Sequence, residues 1–208
     1  MAISGLIPTS TFNMQINAGG FFTGLDTATI LTHDALKTAI GVALAKDENR
    51  LGATTGGGTF SITPEVRVIE ADGMRYKLIG ATVFDSFEVK LTTTAKELIP
   101  ENWKKFVPTA EIETAAEITK IRFRSVLLPE DYIPHLFWVG DILDGRLMLI
   151  KLDNALNDIG ATMTFQDKGE SSVPLEFSGH VSDLLTMDYA PAEIWYFKKS
   201  EIRMGAFK

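Results

Sequence analysis

The chain contains no cysteine, only three histidines, and no apolar run long enough to cross a bilayer. Without cysteine there is no disulfide framework, no thiolate metal site and no thiol nucleophile. The histidines, His33, His135 and His180, are far apart and lack the H-E-x-x-H spacing of a helix-borne metal site. Positive charge is also in deficit. Twenty lysines and arginines face 27 acidic residues, for a formal net charge of −7, which argues against a basic surface that grips nucleic acid through its phosphates. From Met1 to Leu25 there is no charged side chain, and so no basic start of the kind a signal peptide has. Pro8, Thr9, Ser10, Thr11, Asn13, Gln15 and Asn17 interrupt that stretch throughout. It reads either as an arm lying against protein or as a partly disordered terminus.

What is present describes an ordinary folded protein. The 208 residues, 45% of them hydrophobic and 23% charged, suffice for one large domain or two small ones, and single all-β domains reach this length. Charge is unevenly placed. Between Asp141 and Asp188 nine acidic residues face three basic ones, while after Phe197 only Glu201 opposes Lys198, Lys199, Arg203 and Lys208. An acidic stretch is thus followed by a basic tail.

Periodicity gives the secondary structure. His33 to Lys46 gathers Leu36, Ile40, Val42, Ala43 and Leu44 largely on one helical face, despite Gly41. From Thr59 the period becomes two: Phe60, Ile62, Val66 and Val68 alternate with Thr59, Ser61, Thr63, Glu65 and Arg67. Pro64 marks that strand as an edge or a bulge. Asp72-Gly73 predicts a tight type I′ hairpin returning through Tyr76 and Leu78, and Val83, Phe87, Val89 and Leu91 alternate beyond Gly80. Thr94 and Glu97 have capping-box spacing, and Pro100 can open a short helix through Trp103 to Phe106. Ile121 and Phe123 alternate with Lys120, Arg122 and Arg124. Asp144-Gly145 and Asp167-Lys168-Gly169 signal further turns. The second precedes an alternating strand of Val173, Leu175, Phe177, Gly179 and Val181, whose polar face carries Ser172, Glu176, Ser178 and His180. Hairpins dominate and helices are few. The expected fold is mainly β: a β-sandwich or barrel of antiparallel hairpins with one or two short helices.

The stretch Leu51 to Gly73, LGATTGGGTFSITPEVRVIEADG, raises and answers a question of chemistry. Gly52 to Thr59 follows the P-loop spacing G-x-x-x-x-G-K-S/T except that glycine replaces the lysine. A P-loop needs a strand before it and a helix after it, so that the helix N-terminus faces the phosphates. Here the order is reversed, so Gly56, Gly57 and Gly58 read as mechanical. They permit positive φ and close approach of another backbone, with flexible slack as the plainer alternative. Glu111 with Glu113, and Glu176 with His180, are the acid–base pairs one could draw, but each lies on one strand face where solvated carboxylates are routine. No G-x-S-x-G elbow is present. The Lys120, Arg122, Arg124 ladder, with Phe123 beside it, is better read as a guarded edge or as a complement to acid on a neighbouring subunit than as a nucleic-acid strand.

Three stretches in order carry a resemblance: the one just quoted, LDNALNDIGATMTFQDKGESSVPLEFSGH from Leu152 to His180, and PAEIWY from Pro191. Together they resemble the major tail tube protein of long-tailed, siphovirus-type bacteriophages, over roughly residues 50 to 197. The resemblance implies the phage tail tube fold, within a chain read as an N-terminal arm over residues 1–30, uncharged as far as Leu25, one β-sandwich domain over 31–197 and a basic tail over 198–208. The arm, the helix from His33 and the tail lie outside the match and read as ring-locking extensions or as features of this chain alone. It implies a structural virion protein, not an enzyme and needing no cofactor. Its subunits form homohexameric rings that stack on a tape-measure protein into a tube between capsid and baseplate. Tail terminator and distal tail proteins would meet its ends, and the DNA genome would pass through without specific binding. An acidic or neutral polar lining suits that passage, because DNA carries one negative charge per about 1.7 Å of axis. The expected lumen-facing residues are Ser61, Thr63, Glu65, Glu176 and Ser178. The expected inter-subunit contacts are Gly56, Gly57, Gly58, Lys120, Arg122 and Arg124. The alternatives are a terminator or distal ring protein and the inner tube of a contractile tail. More remote is a small-ligand β-barrel, and an enzyme is last for want of a site.

Overall fold

Strands form where apolar and polar side chains alternate, and they account for most of the structure. The structure, a computed structural model, describes residues 18–70, 72–143, 145–165, 170–183 and 188–198. The strands are β1 (Gly20–Thr23), β2 (Thr54–Val68), β3 (Thr82–Ala95), β4 (Ala110–Ala115), β5 (Ile118–Phe123), β6 (Ile133–Asp141), β7 (Leu147–Asn157), β8 (Val173–Ser178) and β9 (Ala192–Phe197). The helices are α1 (His33–Leu44) and the single turn α2 (Trp103–Phe106). Antiparallel pairing orders seven strands as β1-β6-β7-β8-β3-β2, with β9 also on β7, while β4 and β5 form a separate hairpin. The expected architecture is therefore mainly β, but the sheet does not close into a barrel among the described residues. The end strands β1 and β2 pair with one neighbour each.

β7 is the hub. One edge pairs with β6 from Leu147 to Ala155. The other pairs with β9 along Leu147 to Leu152 and then with β8 at Leu156 and Asn157. At the changeover Asn154 has a φ of 43°, a conformation that costs a non-glycine residue about 1–3 kcal/mol. Its Nδ2 donates to the carbonyl of His180 at 2.9 Å. The kink resets the alternation, so Leu152 and Ala155 face the same side. That side, with Leu136, Trp138 and Ile150, shares one core cluster with Val89, Leu91, Val173, Leu175 and Phe177 of β3 and β8. The opposite side, with Phe137, Val139, Leu149 and Phe197, is covered by Leu36 and Ala43 of α1. Both faces are covered along Leu136–Val139 of β6 and Leu147–Ile150 of β7, which is why those stretches are continuously apolar. Each fully buried leucine there contributes about 1.5–3 kcal/mol.

Several local expectations are corrected. In α1, Leu36, Ile40 and Ala43 meet the sheet, but Val42 and Leu44 are exposed. The helix starts as its cap requires: Thr32 Oγ1 accepts from the Ala35 amide at 3.2 Å. Asp72-Gly73 does not make a type I′ turn. β3 begins only at Thr82, so Tyr76 and Leu78 lie in the connection. Only Ala116 and Asn154 among the described non-glycine residues have positive φ. Thr94 and Glu97 form no capping box, because Thr94 is still paired in β3 opposite Thr55. Glu97 instead accepts the Ala53 amide at 2.9 Å and holds Arg50 at 3.0 Å. Helical structure starts at Pro100, as a 3-10 turn leading into α2. From there Asn102 Nδ2 donates to the Leu51 carbonyl at 2.8 Å, and buried Lys105 donates to the Arg50 carbonyl and Asn102 Oδ1, both at 2.7 Å. This clamp fixes the approach of the chain to β2. The alternating strand β8 stops at Ser178, short of Gly179 and Val181. Within the uncharged N-terminal stretch Gly20–Thr23 belongs to the sheet, with Phe21 and Phe22 in the two core clusters. The Asp167-Lys168-Gly169 turn, the end of the basic tail from Lys199 and the first 17 residues lie outside the described residues.

Candidate functional site

Register decides which side chains share a face, and on β2, β3 and β8 it separates two surfaces. Ser61 lies opposite Lys90, which lies opposite Ser178; Thr63 lies opposite Glu88, Glu65 opposite Ser86, and Thr92 opposite Glu176. The five expected lumen residues, Ser61, Thr63, Glu65, Glu176 and Ser178, therefore stand on one continuous polar face. Behind it Val89, Leu91, Leu175 and Phe177 are buried in the core. Ser86 Oγ donates to Glu65 at 2.9 Å, and Ser178 Oγ donates to Asp158. Lys90 Nζ lies 2.6 Å from Glu88 and 3.0 Å from Glu176. Its pKa is raised, first by the hydrogen bond to Glu88 and then by that to Glu176, against a smaller effect of burial. Lys90 and Glu88 were not singled out from sequence, although their alternation with Val89 and Leu91 carries the signal.

The other surface is apolar. The β2–β3 hairpin outruns the core, leaving Ile62, Val66, Phe84 and Phe87 between 44% and 59% exposed. Phe84 and Phe87 are three residues apart, a spacing that plain alternation would put on opposite faces. A bulge solves this: Glu65 pairs with Ser86 but Val66 pairs with Phe84, leaving Asp85 as the extra residue. The two rings then stack at 5.1 Å between centroids. Asp85, turned to the other side, takes Arg67 at 2.8 Å. At the far end of the hairpin, Ile69, Tyr76, Leu78 and Ile79 are exposed as well. Pro64 sits in an edge strand, where its missing N–H costs no ladder bond.

The glycine triplet does two jobs. Gly56 and Gly57 have φ of 74° and 73° and form a second bulge, between Thr55 and Gly58, where the Gly57 carbonyl accepts from Thr93 Oγ1 at 3.0 Å. A Cβ on either would meet nothing within 4 Å, so here glycine answers to backbone conformation. At Gly58 a Cβ would come within 2.7 Å of the Thr92 carbonyl and 2.9 Å of the Phe21 ring, so there it answers to close approach. The basic ladder stands on β5 opposite an acidic one on β4. Arg122 reaches Glu113 at 3.5 Å and Arg124 reaches Glu111 at 3.0 Å, while Lys120 is in register with Glu113.

The residues that sequence offers for catalysis are engaged elsewhere. Glu111 and Glu113 face those arginines, Glu176 holds Lys90, and His180 packs edge-on against Tyr132 with its Nδ1 3.1 Å from the Asn154 carbonyl. The fold brings His180 and His135 to one recess of about 580 Å³ that also contains Lys151, Asp153 and Glu193. Its groups bind one another: His135 Nδ1 meets Asp153 at 2.6 Å, and Lys151 lies between Asp153 at 3.1 Å and Glu193 at 3.2 Å. The Glu193 pKa is lowered, first by the hydrogen bond from Trp195. His33 is not part of this recess; it is buried at the start of α1. Among the described residues no group of three histidine or acidic side chains is placed to hold a metal ion, and no helix is long and apolar enough to cross a membrane. No protein-family model matches the chain, and no curated protein matches it.

Proposed function

We propose that this chain is a structural subunit that assembles with copies of itself into stacked six-fold rings, forming the hollow tail tube of a long-tailed bacteriophage. In this reading the seven-stranded sheet, bent at β7 so that its two halves share a core, is the β-sandwich of the tail tube fold. The protein works in the virion, not as an enzyme. It assembles around a tape-measure protein, meets terminator and distal tail proteins at its ends, and lets the DNA genome pass without specific binding.

The observation that carries the reading is the two-sided β2–β3 hairpin. A monomer has no use for an apolar strip continuous with its own core and projecting into water, and such strips mark protein–protein contacts. Ile62, Val66, Phe84 and Phe87 are that strip. The polar side carries more carboxylates than cations, as suits a wall along which DNA must slide. Ring contacts are head-to-tail, so one chain has to supply both complementary surfaces.

The test is to concentrate the purified protein and image it by negative-stain electron microscopy, beside a Phe84→Ser/Phe87→Ser variant. Hollow tubes from the native chain, and none from a variant that melts at an unchanged temperature, support the reading. Single rings that never stack would transfer it to a terminator or distal ring protein. Monomers that persist even with the tape-measure protein added would refute it.

A further inference from the structure

We propose that Glu88 and Glu176 cap Lys90 so that the polar face cannot capture phosphate-bearing polymers; this rests on that face being the tube lining. Lys90 occupies the middle of the face, in the row Ser61–Lys90–Ser178. An uncapped lysine there would be a phosphate contact. Repeated in every subunit of a ring and every ring of a tube, it would become a ladder of contacts, each releasing counterions and adding to the affinity for DNA.

The geometry prevents this. Glu88 approaches Lys90 from two residues back on the same strand, and Glu176 approaches from β8 beside it. Two carboxylates against one ammonium leave the site net negative, so an incoming phosphate must displace one of them and still be repelled by the other. Glu65, and Asp158 bonded to Ser178, extend the negative field on either side. The other cations of these strands are treated alike: Arg67 is held by Asp85, and Lys96, just beyond β3, by Glu170. Exposed ion pairs of this kind add little to stability, so their consistent placement is better explained by what they keep away.

The experiment treats the unassembled protein with pyridoxal 5′-phosphate, an aldehyde that carries its own phosphate. The lysine imines are trapped with borohydride and each lysine is quantified by peptide mass spectrometry. Lys37 and Lys104, both exposed, serve as internal references. In the native chain Lys90 should label several-fold below Lys37, because the two carboxylates beside it favour its ammonium form over the reactive neutral amine. In Glu88→Gln/Glu176→Gln the labelling of Lys90 should rise by about the same factor while Lys37 is unchanged. Native Lys90 labelling as readily as Lys37, or a folded double variant with no rise, overturns the proposal. Should the double variant not fold, the native comparison and the single Glu88→Gln variant decide. Labelling is read before assembly, so a chain that protects Lys90 yet stays monomeric by microscopy even with the tape-measure protein added refutes the tube reading separately.

Discussion

Lys105 sits on α2 with only 8% of its surface exposed, and its ammonium group donates to two oxygens rather than pairing with a carboxylate. Burial pushes its pKa down from 10.5 to about 8. The folded state therefore gives up this proton more readily than the unfolded chain. Below pH 8 the amine is charged in both states and the cost of burying it is constant. Between pH 8 and 10.5 the unfolded chain still holds the proton that the folded chain has lost, so stability rises with pH; above 10.5 the effect is complete. The full span of the shift corresponds to about 3 kcal/mol. Lys105→Met cannot titrate. It leaves the Arg50 carbonyl and Asn102 Oδ1 without their donor, at about 1–3 kcal/mol each, but that loss does not depend on pH. Urea unfolding of the purified protein, followed by tryptophan fluorescence from pH 7 to pH 10, should show the native chain gaining on the variant by about 2–3 kcal/mol. Using the difference between the two proteins cancels every other titrating group, Lys90 and the tyrosines included. Parallel pH profiles would show that the burial does not act on the charge of Lys105, and the account of the clamp would be wrong.

The glycine bulge supplies a second, ordered prediction. Gly57→Ala should cost about 1–2 kcal/mol, from its left-handed backbone alone. Gly58→Ala should cost more, because a Cβ there meets the Thr92 carbonyl, which cannot swing aside as a side chain can; urea midpoints in the reverse order would refute this division of roles. Asn157 is buried among three backbone groups, donating to the carbonyls of Phe106 and Gly160 and accepting from the Glu176 amide. Asn157→Leu should therefore destabilise by about 3 kcal/mol or more, an unusually large loss for a change to an apolar residue in a core. A thermal midpoint within a degree or so of the native one would contradict the bonding described.

Local chemistry was legible where a short window of sequence contains its whole cause. Alternation placed β2, the second half of β3 and β8, because a half-buried strand shows its two faces every second residue. The helical period placed α1, and Pro100 the turn that opens α2. The same windows misled where a local signal had a stronger competitor. Thr94 and Glu97 have the spacing of a cap, but Thr94 was already committed to the β3 ladder and the Glu97 carboxylate to Arg50 and Ala53. Asp72-Gly73 favours a tight turn, but the strands on either side do not reach it, since β2 ends at Val68 and β3 starts at Thr82.

The polar and apolar faces of the β2–β3 hairpin were legible as residues but not as surfaces. Ser61, Thr63 and Glu65 are 111 to 117 positions away from Glu176 and Ser178. Only the shared neighbour β3 brings the two groups onto one face. Alternation groups Val83 with Phe87, but the bulge at Asp85, which exists only against β2, puts Phe84 on the side of Phe87 instead. Composition by itself determined that no thiol or disulfide chemistry operates and that the surface is acidic. Periodicity by itself determined a mainly β chain with a short helix before its long hairpin. Tertiary structure alone decided that β7 serves three partners, that the apolar flange projects beyond the core, and that Lys90 lies between two carboxylates. The physical reason is that side-chain alternation is a property of neighbours along the chain, whereas register, bulges and ion pairs are fixed between strands.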